Sequence, residues 1–377
     1  MFEELSLLQL QQLWWIIISL LGGLFAFIMF VQGGQTLIFK LSKGDELLKT
    51  MLINSLGRKW ELGFTTLVLF GGALFAAFPL FYATSFGGAY WVWMSILFCF
   101  IIQAVSYEYR KKPDNFLGQK VYEAFLYING SLGVILLGVA IATFFSGSNF
   151  WVDEYNFSHW SDSLRGLESL ASPFNLSLGF ALFFLVRISG ALYFINNIDN
   201  ETIRKRAIKS IKVDMLIFLF FFLAFLAQLF TKSGFAYNEK GFIYLQEFKY
   251  LLNFIELPYV GLMFCIGILM VIIAVFLTIH FDKTCCIKTG GLGIVLTVMA
   301  LFLNVGLNNT SYYPSIYDLQ SSLTIENSSG SHYTLTAMSY AALMVPFVLA
   351  YIFYVWYQMD KVKITKEEIQ DPHSHNY

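Results

Sequence analysis

Few residues in this sequence could do acid–base, redox or metal chemistry, and most of them interrupt long apolar stretches. Glu61 lies in Arg58-Lys59-Trp60-Glu61, where an apolar run begins. A carboxylate there can take up and release protons, or pair with Arg58 or Lys59. Its position favours proton handling. Arg187 stands in Phe184-Leu185-Val186-Arg187-Ile188-Ser189-Gly190. A permanent cation in such surroundings needs a buried partner, an interior cavity or a reach to the surface, and a buried partner is the expectation. Gln32 and Gln35 are three apart and share a helix face, and Gln103 falls in another apolar run. Such amides bridge helices or order water for proton transfer. Gln32, Gln35, Gln103 and Glu61 are expected to converge at one depth.

Haem iron takes His, Met, Cys or Tyr as an axial ligand. The five histidines are His159, His280, His332, His373 and His375, none of them in the middle of an apolar run. The expectation is that this chain alone binds no haem and no metal and holds no catalytic residue of its own. Cys99 and Cys265 lie in apolar runs, while Cys285 and Cys286 are adjacent with no His or second Cys pair nearby, so reduced thiols are expected. No Gly-rich phosphate cradle follows a strand, which excludes a self-sufficient ATPase.

The elements that must position these residues are membrane helices. Of 377 residues, 57% are hydrophobic and only 13% charged, too few charges for a water-facing surface. The net charge of −1 gives no field that would draw nucleic acid. A span needs roughly 20 mostly apolar residues. Such runs lie near 9–38, 64–84, 88–106, 122–146, 174–196, 213–231, 255–280, 289–308 and 334–357. The first is too long for a signal-peptide core and reads as a retained helix. The prediction is an all-α integral membrane protein with about nine transmembrane helices, forming one polytopic domain over 1–377. Lys and Arg number nineteen in segments 39–63, 107–121, 197–212, 281–288 and the tail, against four in the alternate segments. Positive-inside asymmetry then puts the N-terminus outside and the C-terminus in the cytoplasm. Glu61 falls on the cytoplasmic side.

The second run carries Gly71-Gly72-Ala73 and Ala76-Ala77, small residues that allow close helix approach, followed by the helix-interrupting Pro79. Gly71-Gly72-Ala73-Leu74-Phe75-Ala76-Ala77-Phe78-Pro79, with Tyr82-Ala83 and Phe86-x-Gly88-x-Tyr90, resembles the GGALFAA-x-P-x-x-YA-x-x-F-x-G-x-Y stretch of the cytochrome bd subunit II family. Ile53-Asn54-Ser55, Trp60, Glu108-Tyr109-Arg110, Val152-Asp153-Glu154-Tyr155, Pro173-Phe174, Ser322-Leu323-Thr324 and Ile364-Thr365-Lys366-Glu367-Glu368-Ile369 fall in the family's order, so the resemblance spans nearly the whole chain.

The resemblance implies two antiparallel four-helix bundles plus one more helix, in a bacterial cytoplasmic (inner) membrane. It implies a larger partner, subunit I, carrying haem b, haem d and the quinol site, in a complex that oxidises quinol and reduces oxygen to water with protons drawn from inside. Small single-helix subunits and a structural quinone occur in some members. Subunit II packs near the haems and lines a proton path, a role that falls on Glu61, with Gln32, Gln35, Gln103 and Trp60 as haem-proximal or interhelical groups. This sequence departs from the family at those positions. The family's Asp is Glu61, its second Trp is Thr66, and an Asp–Arg pair is replaced by glutamines, so Gln35 and Gln103 are expected to contact each other. The rival reading is a proton- or ion-coupled transporter, with Arg187 as its key charge.

Overall fold

The computed structural model describes residues 2–370. Among these, nine helices are long and apolar enough to cross a membrane, the number expected. They are α1 (Leu7–Gln35), α2 (Glu46–Ala77), α3 (Tyr90–Tyr109), α4 (Gln119–Ser146), α5 (Pro173–Asn197), α6 (Glu201–Thr231), α7 (Pro258–His280), α8 (Cys286–Gly306) and α9 (His332–Asp360). Helices α1–α4 form one four-helix bundle and α5–α8 a second. The bundles meet where α1 packs on α8 and where α5 packs on α4 and the end of α1, and α9 is the additional helix.

Local chemistry sets the ends. Ser6 and Gln9 form a reciprocal capping box that opens α1. Ser172 caps α5 ahead of Pro173 at its first helical position, and Asn200 caps α6 by accepting from Ile203 N at 3.1 Å. Pro79 interrupts the second helix as expected. The chain breaks at Phe78 and resumes over Pro79–Tyr82 before a wide turn at Ala83–Gly88.

Several boundaries differ from the apolar runs. The segment 39–63 is largely helical, because Glu46–Gly57 forms the first part of α2, capped by Asp45. Helix α6 begins at Glu201, twelve positions before the apolar run at 213–231. Both extensions are polar, so apolar content alone does not mark them. At the opposite end from the Lys/Arg-rich turns, two hairpins form a cap. Strand β1 (Phe150–Val152) pairs antiparallel with β2 (Ser158–Trp160), and β3 (Gly234–Tyr237) with β4 (Ile243–Gln246). The Ser/Asn/Tyr-rich segment 309–331 threads between them, bridging Ser148, Ala236 and its own Leu323.

Glycines fix the crossing of α1 and α5. A Cβ at Gly33 would overlap the backbone of Val186, and one at Gly190 would lie 2.8 Å from Gly34 Cα. The Gly33-Gly34 pair therefore lets two backbones touch. Gly71-Gly72 makes no such backbone contact within this chain. Gly72 has open space beside it, and a Cβ at Gly71 would only reach Phe86 at 3.5 Å. The second-helix motif has two faces: Gly71, Leu74, Ala77 and Phe78 are buried in this chain, while Gly72, Phe75 and Pro79 lie on an outward stripe with Glu61, Phe64 and Val68, at helical spacing and all exposed.

Candidate membrane-embedded polar site

The break at Arg58–Lys59 sets the direction of everything that follows it. Trp60 turns inward and stacks on Tyr107, with ring centroids 5.7 Å apart and planes at 12°. Gly63, one turn on, presses against α1, where a Cβ would sit 3.2 Å from Gln32 Nε2. Glu61, between them, points outward. It is exposed and has no hydrogen bond or ion pair among the described residues. The expected convergence of four groups is thus corrected: the glutamines come together and Glu61 stands on the other side of the helix wall.

The two basic neighbours of Glu61 are engaged elsewhere. Lys59, fully buried, pairs with Asp360 at the end of α9 at 3.2 Å, and Arg58 pairs with Glu368. Tyr193 and Asn197 also donate to Asp360 Oδ1, at 3.4 and 3.0 Å. The pairing of Glu61 with Arg58 or Lys59 weighed from the sequence is therefore absent among the described residues.

The glutamines lie at the meeting of α1, α3 and α4. Gln32 Nε2 donates to Gln103 Oε1 at 2.9 Å, and Gln35 Nε2 to the Tyr107 hydroxyl at 3.3 Å. The pairing is offset from expectation: Gln103 bonds Gln32, and Gln35 takes the residue one turn further along α3. Residues three apart on α1 meet residues four apart on α3, so each amide has its own opposite number.

Arg187 has a buried partner. Its Nη2 lies 3.3 Å from both carboxylate oxygens of Asp214, and its Nη1 donates to Thr36 Oγ1 at 2.8 Å. Ser210 donates to Asp214 Oδ2 at 2.7 Å, and Lys40 approaches Asp214 at 4.0 Å. Sequence reasoning missed Asp214 because it lies at the edge of the apolar run at 213–231, whereas in the structure it falls near the middle of the 31-residue helix α6. The signal was available in Ser210 and Asp214, four apart on one helix face.

A second ionic cluster was also missed. Glu123 of α4 accepts from Arg110 at 2.8 Å and from Lys49 at 3.1 Å, with all three side chains buried or nearly so. It ties the polar extension of α2 to the turn between α3 and α4. The described histidines, His159, His280 and His332, are all exposed at helix ends or in the cap. His373 and His375 lie outside the described residues. Cys99 and Cys286 are buried, Cys265 and Cys285 exposed, and all four are free thiols.

The family model described as cytochrome bd terminal oxidase subunit II matches residues 10–359. The sequence is 28% identical over 364 residues to cytochrome bd ubiquinol oxidase subunit 2 of Bacillus subtilis (strain 168), covering 95% of this chain and 98% of that protein. It is 24% identical over 375 residues to cytochrome bd-I ubiquinol oxidase subunit 2 of Escherichia coli (strain K12), covering 96% and 97%. In solved structures, the fold is similar to a chain of the bd oxidase from Geobacillus thermodenitrificans, with a TM-score of 0.66 at 16% identity, covering 93% of this chain and 98% of that one.

Proposed function

The chain belongs to the cytochrome bd terminal oxidase subunit II family, and from that premise we propose that it forms the cytoplasmic proton entrance of a quinol:oxygen oxidoreductase, with Glu61 as the entry carboxylate. It is a subunit of a quinol oxidase and a multi-pass inner membrane protein. A transporter is not favoured. In the proposed arrangement the Lys/Arg-rich end faces the cytoplasm, so the N-terminus is outside and the C-terminus inside.

The observation that carries the reading is the setting of Glu61. It ends the outward apolar stripe of α2, at the basic end, with Arg58 and Lys59 held by Glu368 and Asp360. A carboxylate without a fixed counter-ion can change protonation state during turnover, which a permanently paired one resists. The same stripe, carrying Gly72 and Phe75, is the face we assign to a larger haem-bearing subunit I. Small residues on an outward face suit a close helix contact in the membrane.

In this reading haem b and haem d belong to that partner, as do the sites for quinol and oxygen, and this chain contributes assembly and proton delivery. The exposed histidines support that division of labour. Small single-helix subunits would dock on the remaining lipid-facing helices. Of a structural quinone, only the isoprenoid tail would suit the apolar cavity lined by Gly22, Phe25, Phe70, Leu137, Leu182 and Phe302, which offers no donor to the ring carbonyls.

The test is Glu61→Gln in the intact complex, with quinol-driven oxygen consumption as readout. Oxygen reduction should slow by about a hundredfold, the scale of removing a positioned proton carrier. Glu61→Asp should recover most of it. Turnover equal to wild type in Glu61→Gln would refute the entrance.

A further inference from the structure

We propose that Gln32, Gln35, Gln103 and Asn129 enclose a cluster of bound water molecules, and that Asn129 is a positioning residue for proton uptake. The proton role rests on the entrance reading of Glu61; the water site does not.

Asn129 is fully buried, and neither its amide oxygen nor its amide nitrogen has a partner among the described residues. It opens the wide turn Asn129–Gly133 inside α4, a π-type turn of the kind found frequently at functional sites. This bulge is pressed onto the amide cluster. A Cβ at Gly130 would overlap the carbonyl oxygen of Gln32. The Cβ position at Gly133 lies 3.5 Å from Asn129 Nδ2 and 3.1 Å from Cys99 Cβ, one helical turn before Gln103.

Four more unpartnered atoms belong to the same neighbourhood: Gln32 Oε1, Gln35 Oε1, Gln103 Nε2 and the indole Nε1 of Trp60. All three glutamines are fully buried. Exchanging O and N in both Gln32 and Gln103 leaves the same remainder, because their mutual bond uses one donor and one acceptor. Buried polar atoms left dry lose their hydration with nothing in return. Water, with two to four polar partners, is the ligand this mixture of donors and acceptors takes. The cluster lies behind Glu61: Trp60 and Gly63, on either side of it in sequence, form the α2 wall of this space. Amides do not ionise here. They hold each water in line, so that it accepts a proton on one side as it releases one on the other, with no net change at the amides.

The experiment uses the intact complex in liposomes. A high-resolution structure should show ordered water density touching Asn129 and at least one of Gln32 and Gln103. Asn129→Leu should assemble with normal haem spectra, lose that density and slow proton uptake about tenfold. Asn129→Ser, which leaves room for an extra water, should restore uptake. If Asn129→Leu does not assemble, the wild-type density and the solvent deuterium effect on uptake in Asn129→Ser decide the matter. Absence of density where other buried waters are resolved would overturn the water site. Wild-type uptake in Asn129→Leu would overturn the positioning role. Slowed uptake in Asn129→Leu beside normal turnover in Glu61→Gln would uphold the cluster and remove only the Glu61 entrance.

Discussion

Arg187 and Asp214 form a buried ion pair that joins α5 to α6, with Arg187 Nη2 at 3.3 Å from each oxygen of the carboxylate. The pair sits beside the backbone contact of Gly33 with Val186, so the guanidinium can also reach Thr36 at the end of α1. Three helices are thereby fixed at one depth.

Removing one member of this pair should be far worse than removing both. Asp214→Leu leaves the guanidinium buried without a counter-charge, and Arg187→Leu strands the carboxylate, each at an expected cost of about 3–5 kcal/mol. Replacing both Arg187 and Asp214 with leucine removes the desolvation penalty along with the attraction, and should cost appreciably less. Thermal unfolding of the detergent-purified complex, run as a double-mutant cycle, reads the difference. Additive losses would show that the two charges are not coupled.

The hairpin in the cap should respond to acid. Asp153 accepts from the backbone of Tyr155 and Phe157, both at 2.9 Å, and contacts His159 Nε2 at 3.0 Å. The His159 contact first, then these backbone bonds, hold its carboxyl below the ordinary value. A depressed carboxyl contributes stability that is full above the unfolded value, about 3.9, and fades as pH falls through the lower folded value. The amide protons of Tyr155 and Phe157, both donated to Asp153, report the turn through their protection from hydrogen exchange. The hairpin should keep its neutral-pH protection down to about pH 4 and lose it below that. In Asp153→Asn the acid transition should vanish; an unchanged transition would assign it to another group.

Much of this fold was legible because a span must be apolar over its whole length, a signal that survives without tertiary information. Glu46–Gly57 and the first turns of α6 were not legible, since polar helices at the membrane surface have the composition of loops. The site was legible in residue type but not in direction. Trp60, Glu61 and Gly63 are neighbours in sequence, yet the chain break at Arg58–Lys59 decides which face Glu61 takes. Likewise Gln32 and Gln35 share a helix face, so sequence could not say which of them meets Gln103. Asn129 carried no signal, because its role depends on a wide turn created by packing of α4 against α1. The Gly71-Gly72 motif announces close packing in the sequence but not its partner, because small residues serve any close contact, inside the chain or outside it.

The C-terminal segment should control the charge next to Glu61. Asp360 is the only carboxylate paired with the buried Lys59 among the described residues, and Glu368 holds Arg58. Between them, Ile364 is stitched to the end of α5 through Ile364 N to Asn197 O and Asp199 N to Ile364 O, both 2.9 Å. Glu368→Gln breaks a part-exposed pair and should cost less than about 1 kcal/mol. Asp360→Ala strands Lys59 and should loosen the whole segment, which trypsin would detect as faster cleavage at Lys361, Lys363 and Lys366. With both acids removed and the segment loosened, Arg58 and Lys59 both lose their partners, and either is free to reach across the break to Glu61. Oxygen consumption by the Asp360→Ala/Glu368→Gln complex should then fall toward that of Glu61→Gln, while Glu368→Gln alone stays near wild type. Faster cleavage with turnover unchanged would make the segment an anchor for α9 and nothing more, because the counter-ions it withholds from Glu61 would have no effect on proton entry.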